Sequence, residues 1–130
     1  MSPTYEAIRV EPLDGTIVLT INVPKMWEYE ACEAIGRELK AAAAEHASSN
    51  VVIDLGRVEF IASVGVMPFL SVNKRVRENG GRLVLCNFHD FVKQVFTTTR
   101  LLVNPKSPGS PFEWAETRDE AVAMLSSGET

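Results

Sequence analysis

Ser63 is the residue of this chain best placed to present chemistry at a surface. It stands in Ala62-Ser63-Val64-Gly65, after the apolar pair Phe60–Ile61 and before a helix-like pattern. A hydroxyl on such a strand-to-helix turn can be exposed, modified and read by a partner. It can also cap the helix by accepting a backbone amide, worth about 1 kcal/mol. Hydrolysis would ask more of the same serine. His46 or His89 would have to serve as base and Asp54 as orienter, and the segment lacks the Gly-x-Ser-x-Gly elbow that hydrolases use. No Gly-x-x-x-x-Gly-Lys loop or Gly-x-Gly-x-x-Gly turn is present to cradle a nucleotide. The residues therefore point away from an enzyme, and no cofactor is expected.

The rest of the composition narrows the field. At 130 residues the chain is sized for one domain with one core, and no internal repeat or second domain is visible. One domain is expected over 1–130, its core over about 5–125. The formal charge is −4 with no basic cluster, which disfavours nucleic acid. No apolar run has the length of a membrane span, and the N-terminus lacks a signal-peptide pattern. Cys32 and Cys86 make no disulfide framework; two buried, reduced thiols in a cytoplasmic protein are expected. Cys86 and His89 could supply two metal ligands, but zinc needs about four. No metal site is expected.

The elements that must position Ser63 follow from periodicity. Tyr5–Val10 and Thr16–Asn22 read as strands joined at Asp14-Gly15, a hairpin signal because a tight turn needs positive φ. Ile17–Ile21 is almost continuously apolar, as in a strand covered on both faces, and Pro24 closes it. Trp27–Glu45 reads as a helix, with Cys32, Ile35, Leu39 and Ala42 on one stripe. Val51–Leu55 is the next buried strand. A second helix runs from about 64–67 to Asn79, burying Val66, Phe69, Leu70, Val72 and Val76, with Asn73 inside the arc. Val64, Met67, Ser71, Lys74, Arg75 and Glu78 fall on its other side. Gly80-Gly81 ends it with a left-handed cap.

Leu83–Cys86 is a strand, and Asp90–Thr98 a short helix with Phe91, Val92, Val95 and Phe96 on one side. Asn104–Pro111 is a loop and Phe112–Ala115 a weak last strand. Thr117 and Glu120 form a capping box for the closing helix, and Ser126–Thr130 is expected to fray. The order is a hairpin followed by α-β-α-β-α-β-α. It implies an α/β domain: a mixed, mostly parallel sheet of four to five strands flanked by about four helices.

From Val51 onward these residues resemble the STAS domain, the fold of bacterial anti-sigma-factor antagonists. The resemblance rests on VVIDL with Asp54, the Val58–Ser63 approach, Gly65, Glu78-Asn79-Gly80-Gly81 and LVLCN, then Val95–Leu101 and ETRDEAVAML. It covers about residues 5–125 and is strongest over 51–101. In that family the turn usually reads Asp-Ser-Ser/Thr-Gly-Leu, and its first serine is phosphorylated by a partner anti-sigma factor that is also a kinase. Ser63 takes the position of the phosphorylated serine, Gly65 the glycine and Val66 the leucine. Ala62 replaces the aspartate and Val64 the second hydroxyl residue. Pro68 is a further departure: a regular helix starting at Ser63 would leave Pro68 without a donor and crowd the carbonyl of Val64.

The resemblance implies a binding protein with a switch. Ala62, Ser63, Val64, Gly65 and Met67 would form the partner-binding patch, with Ser63 the phosphorylation site. The partner would be an anti-sigma factor with serine kinase activity, freed from its sigma factor when this chain binds it, which makes the chain a transcription regulator. A phosphate brings about −1.5 to −2 charges. A helix N-terminus tolerates it, whereas a surface built for an uncharged serine does not. The family also includes small subunits of lipid-transporting ABC systems, tails of anion transporters and parts of stress-sensing complexes, which likewise act by protein binding.

Overall fold

The computed structural model describes residues 5–13, 15–46, 50–104 and 109–126. In chain order the elements are β1 (Ile8–Leu13), β2 (Thr16–Ile21), β3 (Lys25–Met26), α1 (Tyr29–Glu45), β4 (Asn50–Asp54), β5 (Phe60–Ile61), a 3₁₀ helix (Ser63–Val66), α2 (Met67–Glu78), β6 (Leu83–Cys86), α3 (Asp90–Thr98), β7 (Glu113–Ala115) and α4 (Arg118–Ser126). The main sheet has the order β1-β2-β4-β6-β7. Only the β1–β2 pair is antiparallel; β2, β4, β6 and β7 are parallel neighbours. The mixed, mostly parallel α/β architecture expected from the alternation is the one observed.

The topology dictates the layers. Each crossover steps one strand in the same direction, so right-handed connections put α1, α2 and α3 on one face. Ile17, Leu19, Ile21, Ile53 and Leu85 point that way, into a core closed by Ile35, Leu39, Phe69 and Phe96. The alternate residues Val18, Val52, Val84 and Cys86 point to the other face, where Ala121 and Leu125 of α4 cover them. The capping box starts α4 as expected: the Glu120 amide donates to Thr117 Oγ1 (3.1 Å), and the Thr117 amide to the Glu120 carboxylate (3.2 Å).

Several boundaries differ from expectation. The first strand is Ile8–Leu13 rather than Tyr5–Val10, and it contains Pro12. Strand β1 lies at the sheet edge, where a residue without a donor is tolerated. The hairpin closes with Leu13 opposite Thr16 and Gly15 at φ +74°; Asp14 lies outside the described residues. Strand β2 ends at Ile21, before Pro24 as expected, but Lys25 and Met26 just beyond it form a separate short strand, β3. The first helix begins at Tyr29, leaving Trp27 exposed before it. Phe91 is exposed rather than packed with Val92 and Phe96. Residues 105–108 of the expected loop and 127–130 of the expected fraying tail lie outside the described residues. Cys32 and Cys86 are free and buried.

Candidate functional site

The turn carrying Ser63 is built by a second, two-stranded parallel sheet. Lys25 pairs with Phe60 and Met26 with Ile61. The Pro24 carbonyl accepts the amides of Glu59 (2.8 Å) and Phe60 (3.2 Å), and the Met26 carbonyl accepts the Ala62 amide (3.0 Å). The backbone is thus held on both sides of Phe60–Ile61 before it turns. The Ala62 carbonyl then accepts the Gly65 amide at 2.8 Å, opening the 3₁₀ helix.

Gly65 is required here by space. A Cβ at this position would stand 2.6 Å from Ile61 Cγ1 and 2.7 Å from the Met26 carbonyl oxygen. Any side chain would push the turn away from β3. Gly65 is buried, so it shapes the patch without presenting a surface of its own.

Ser63 is exposed at the first position of the 3₁₀ helix. No side chain caps that helix, and the Ser63 hydroxyl has no hydrogen-bond partner among the described residues. The capping role open to it from sequence is therefore not used.

The 3₁₀ segment also accommodates Pro68. Its i→i+3 bonding lets the Val64 carbonyl accept the Met67 amide. The α-helix starts at Met67, so Pro68 falls in the first turn, where no donor is needed. The proline ring packs against α1, and a Cβ built on Gly36 would lie 3.4 Å from Pro68 Cβ.

Of the expected patch, Met67 is 61% exposed beside Ser63. Ala62 is half-buried. Val64 differs from the helical-wheel reading, being half-buried and packed against the main core. The wheel carries the 3.6-residue turn of α2 back to Val64, whereas Ser63–Val66 is a 3₁₀ helix of 3.0 residues per turn, which moves Val64 off that phase. Val64, Met67 and Pro68 line one wall of a groove of about 440 Å³; Tyr29, Cys32 and Gly36 line the other.

The groups a hydrolase would need are engaged elsewhere. Asp54 Oδ1 accepts the Gly56 amide (2.8 Å) and Asn87 Nδ2 (3.1 Å). His89 Nε2 donates to the Gly56 carbonyl at 2.7 Å, and His46 lies against Glu45. These contacts hold the loop between β4 and β5, and thereby the approach to Ser63. No group of three or more His, Cys, Asp or Glu residues among those described could hold a metal ion. Burial pushes the Cys86 thiol up to about 12, and nearby Asp54 adds to the shift. It stays protonated at neutral pH.

One surface feature escaped the sequence reading. Trp27 (54% exposed), Phe60 (36%) and Phe91 (45%) form a ladder of rings next to the turn. Trp27 meets Phe60 edge-on at 6.2 Å, and Phe60 stacks on Phe91 at 5.2 Å. Lys25 Nζ lies 5.1 Å from the centre of the Trp27 ring. The available signal was Trp27-Glu28, Glu59-Phe60 and Asp90-Phe91: three aromatics each adjacent to an acid.

The STAS domain family model matches residues 7–111. The chain belongs to the STAS domain family. It is 36% identical over 119 residues to BtrV of Bordetella bronchiseptica, a protein named as an anti-sigma factor antagonist, spanning 91% of this chain and 93% of BtrV. Among solved structures it resembles an anti-sigma factor antagonist from Mycobacterium paratuberculosis (TM-score 0.74, 22% identity, 92% of each chain). It also resembles the phosphorylated form of the Bacillus cell fate determinant SpoIIAA (TM-score 0.62, 22% identity, 92% of this chain and 99% of that one). At these identities the two structures speak for the fold. In this STAS domain, no helix among the described residues is long and apolar enough to cross a membrane.

Proposed function

We propose that this STAS domain is an anti-sigma factor antagonist. It binds a kinase-type anti-sigma factor through the surface around Ser63, and phosphorylation of Ser63 switches that binding off. The observation that carries the reading is an exposed, unbonded serine hydroxyl on a turn whose backbone is pinned to β3. A kinase can reach such a hydroxyl without unfolding anything, and a phosphate placed there displaces no internal hydrogen bond. The name of BtrV supports the antagonist role, and the phosphorylated form of SpoIIAA, a neighbour in fold, supports the switch. Ala62 leaves the turn without the family's aspartate, so recognition by the kinase rests on the remaining surface. The chain works by binding alone, as a cytoplasmic regulator of transcription, and needs no cofactor.

The test uses the purified kinase-type anti-sigma factor of the same organism. With ATP, the wild-type chain gains a phosphate located by mass spectrometry on Ser63, and Ser63→Ala does not. Ser63→Ala keeps its affinity. Ser63→Asp binds roughly a hundredfold more weakly, the equivalent of about 3 kcal/mol. Equal affinity of the two variants, at unchanged melting temperature, would overturn the switch. Ser63-dependent turnover of an ester or nucleotide would overturn the claim that binding is the whole activity.

A further inference from the structure

We infer that the aromatic ladder beside the Ser63 turn is a docking surface for an arginine-bearing segment of a protein partner. Trp27, Phe60 and Phe91 are all exposed, yet they contact one another rather than scattering. Contiguous exposed rings of this kind mark interaction sites, where aromatic anchors carry much of the binding energy. The ladder is continuous with the turn. Phe60 lies three residues before Ser63, and Trp27 follows Met26, whose carbonyl holds Ala62.

The charges select the occupant. Each ring adjoins an exposed carboxylate in the chain: Glu28 beside Trp27, Glu59 beside Phe60 and Asp90 beside Phe91. None of the three forms an ion pair among the described residues, although four Arg or Lys pairs occur elsewhere among them. Consecutive residues point different ways, so these carboxylates rim the ladder rather than lie on it, and a guanidinium can engage either rings or rim. Its face stacks on an aromatic ring, and its edge donates two parallel hydrogen bonds to a carboxylate. Lys25 Nζ already lies 5.1 Å from the centre of the Trp27 ring, so an arginine reaching that ring displaces the chain's own cation. Lysine from a partner would use the charge but not the stacking, and an acidic segment would be repelled.

The inference rests on the reading that this end of the molecule meets a protein, but its test does not use the sigma-pathway partner, so the two can fail separately. The probe is a capped peptide of three arginines spaced by alanines, with its lysine and glutamate counterparts, titrated into the ¹⁵N-labelled full chain by NMR. The arginine peptide is expected to shift the Trp27 indole and the amides of Phe60, Phe91 and Ser63. The Trp114 indole, which donates to the Val103 carbonyl under Lys93, should stay still. The lysine peptide should bind more weakly and the glutamate peptide not at all. Trp27→Ala and Phe91→Ala should each weaken the arginine peptide by about fivefold. Glu59→Gln with Asp90→Asn should reduce the dependence on salt. Both ring variants truncate exposed side chains, and unchanged shifts elsewhere confirm their fold. Absence of shifts at the ladder, equal response to the glutamate peptide, or shifts driven by protein concentration alone would overturn the inference. The last result would assign the ladder to a second copy of the chain.

Discussion

The two sheets of this domain treat the same kinds of residue in opposite ways. The five-stranded sheet is covered on both faces, and Leu19, Ile53, Val84 and Leu85 are fully buried. The two-stranded sheet of β3 and β5 buries Met26 and Ile61 but leaves Phe60 facing solvent, with Trp27 and Phe91 against it. Burial of a large apolar side chain contributes roughly 1.5–3 kcal/mol. Roughly a third to a half of that is forgone for each ring of the ladder, which stays 36–54% exposed. The difference separates two tasks. The large sheet supplies stability. The small one spends few residues on it and holds a turn, with an apolar surface beside it, where another molecule can reach both.

Truncation in the large core should have the greatest effect. Phe69 is fully buried, with its ring 5.9 Å from that of Phe96. Phe69→Ala should cost about 3–5 kcal/mol in urea unfolding, through lost burial and the cavity left behind. A loss below about 1 kcal/mol would show that this core repacks freely, and the contrast between the sheets would weaken. Gly65 tests the small sheet. Gly65→Val must displace either Ile61 or the Met26 carbonyl, and overpacking of this kind costs about 1–3 kcal/mol. The displacement should also appear as altered NMR shifts from Met26 to Met67, with the amides of β6 and β7 unmoved.

The large sheet was legible in the sequence because its signals are periodic. Leu83–Cys86 and Asp90–Thr98 appear with the expected bounds, and the Thr117–Glu120 capping box is formed. The small sheet was not legible as a sheet. Two residues per strand leave no alternation to detect, and the β3–β5 partners are 35 positions apart. Its consequences were missed with it. The sequence pattern draws Trp27 into the helix that follows, and the spacing of Phe91 from Val92 and Phe96 puts it on a buried face. The position of Ser63 on a strand-to-helix turn was legible, because the loss of apolar continuity at Ala62-Ser63 is local. The 3₁₀ geometry that frees its hydroxyl and turns Val64 inward was not, since it depends on the contact of Gly65 with Met26.

Charge ties the large sheet together more weakly than packing does. Arg118 of α4 holds Glu11 of β1 through two contacts of 3.1–3.2 Å, with both side chains about one-third exposed. The hydrogen bond from Arg118 holds the Glu11 carboxyl below its usual range. A lowered folded-state value means the stabilisation is present above the unfolded-state value, about 4.3, and is lost as pH falls through the lowered one. Glu11→Gln should therefore cost less than about 1 kcal/mol at pH 7, given the exposure. Its difference from wild type should shrink toward zero as pH is lowered below 4. A difference that persists there would mean that Glu11 acts by packing.

The most discriminating test sets one phenylalanine against another. Phe91 and Phe69 are the same residue type on neighbouring helices, so Phe91→Ala removes the same atoms as Phe69→Ala. The half-exposed ring has about half of its burial to lose and its stack on Phe60, and such pairs contribute about 0.5–1.5 kcal/mol beyond burial. Phe91→Ala should accordingly destabilise the chain by about 1–2 kcal/mol, well short of Phe69→Ala. A loss approaching that of Phe69→Ala would mean that the ladder is a structural part of the core. A small loss in stability together with a clear loss of arginine-peptide affinity is what a surface kept exposed for a partner requires. Stability and binding would then be carried by separate sheets, and the same substitution would read out one or the other according to where the ring stands.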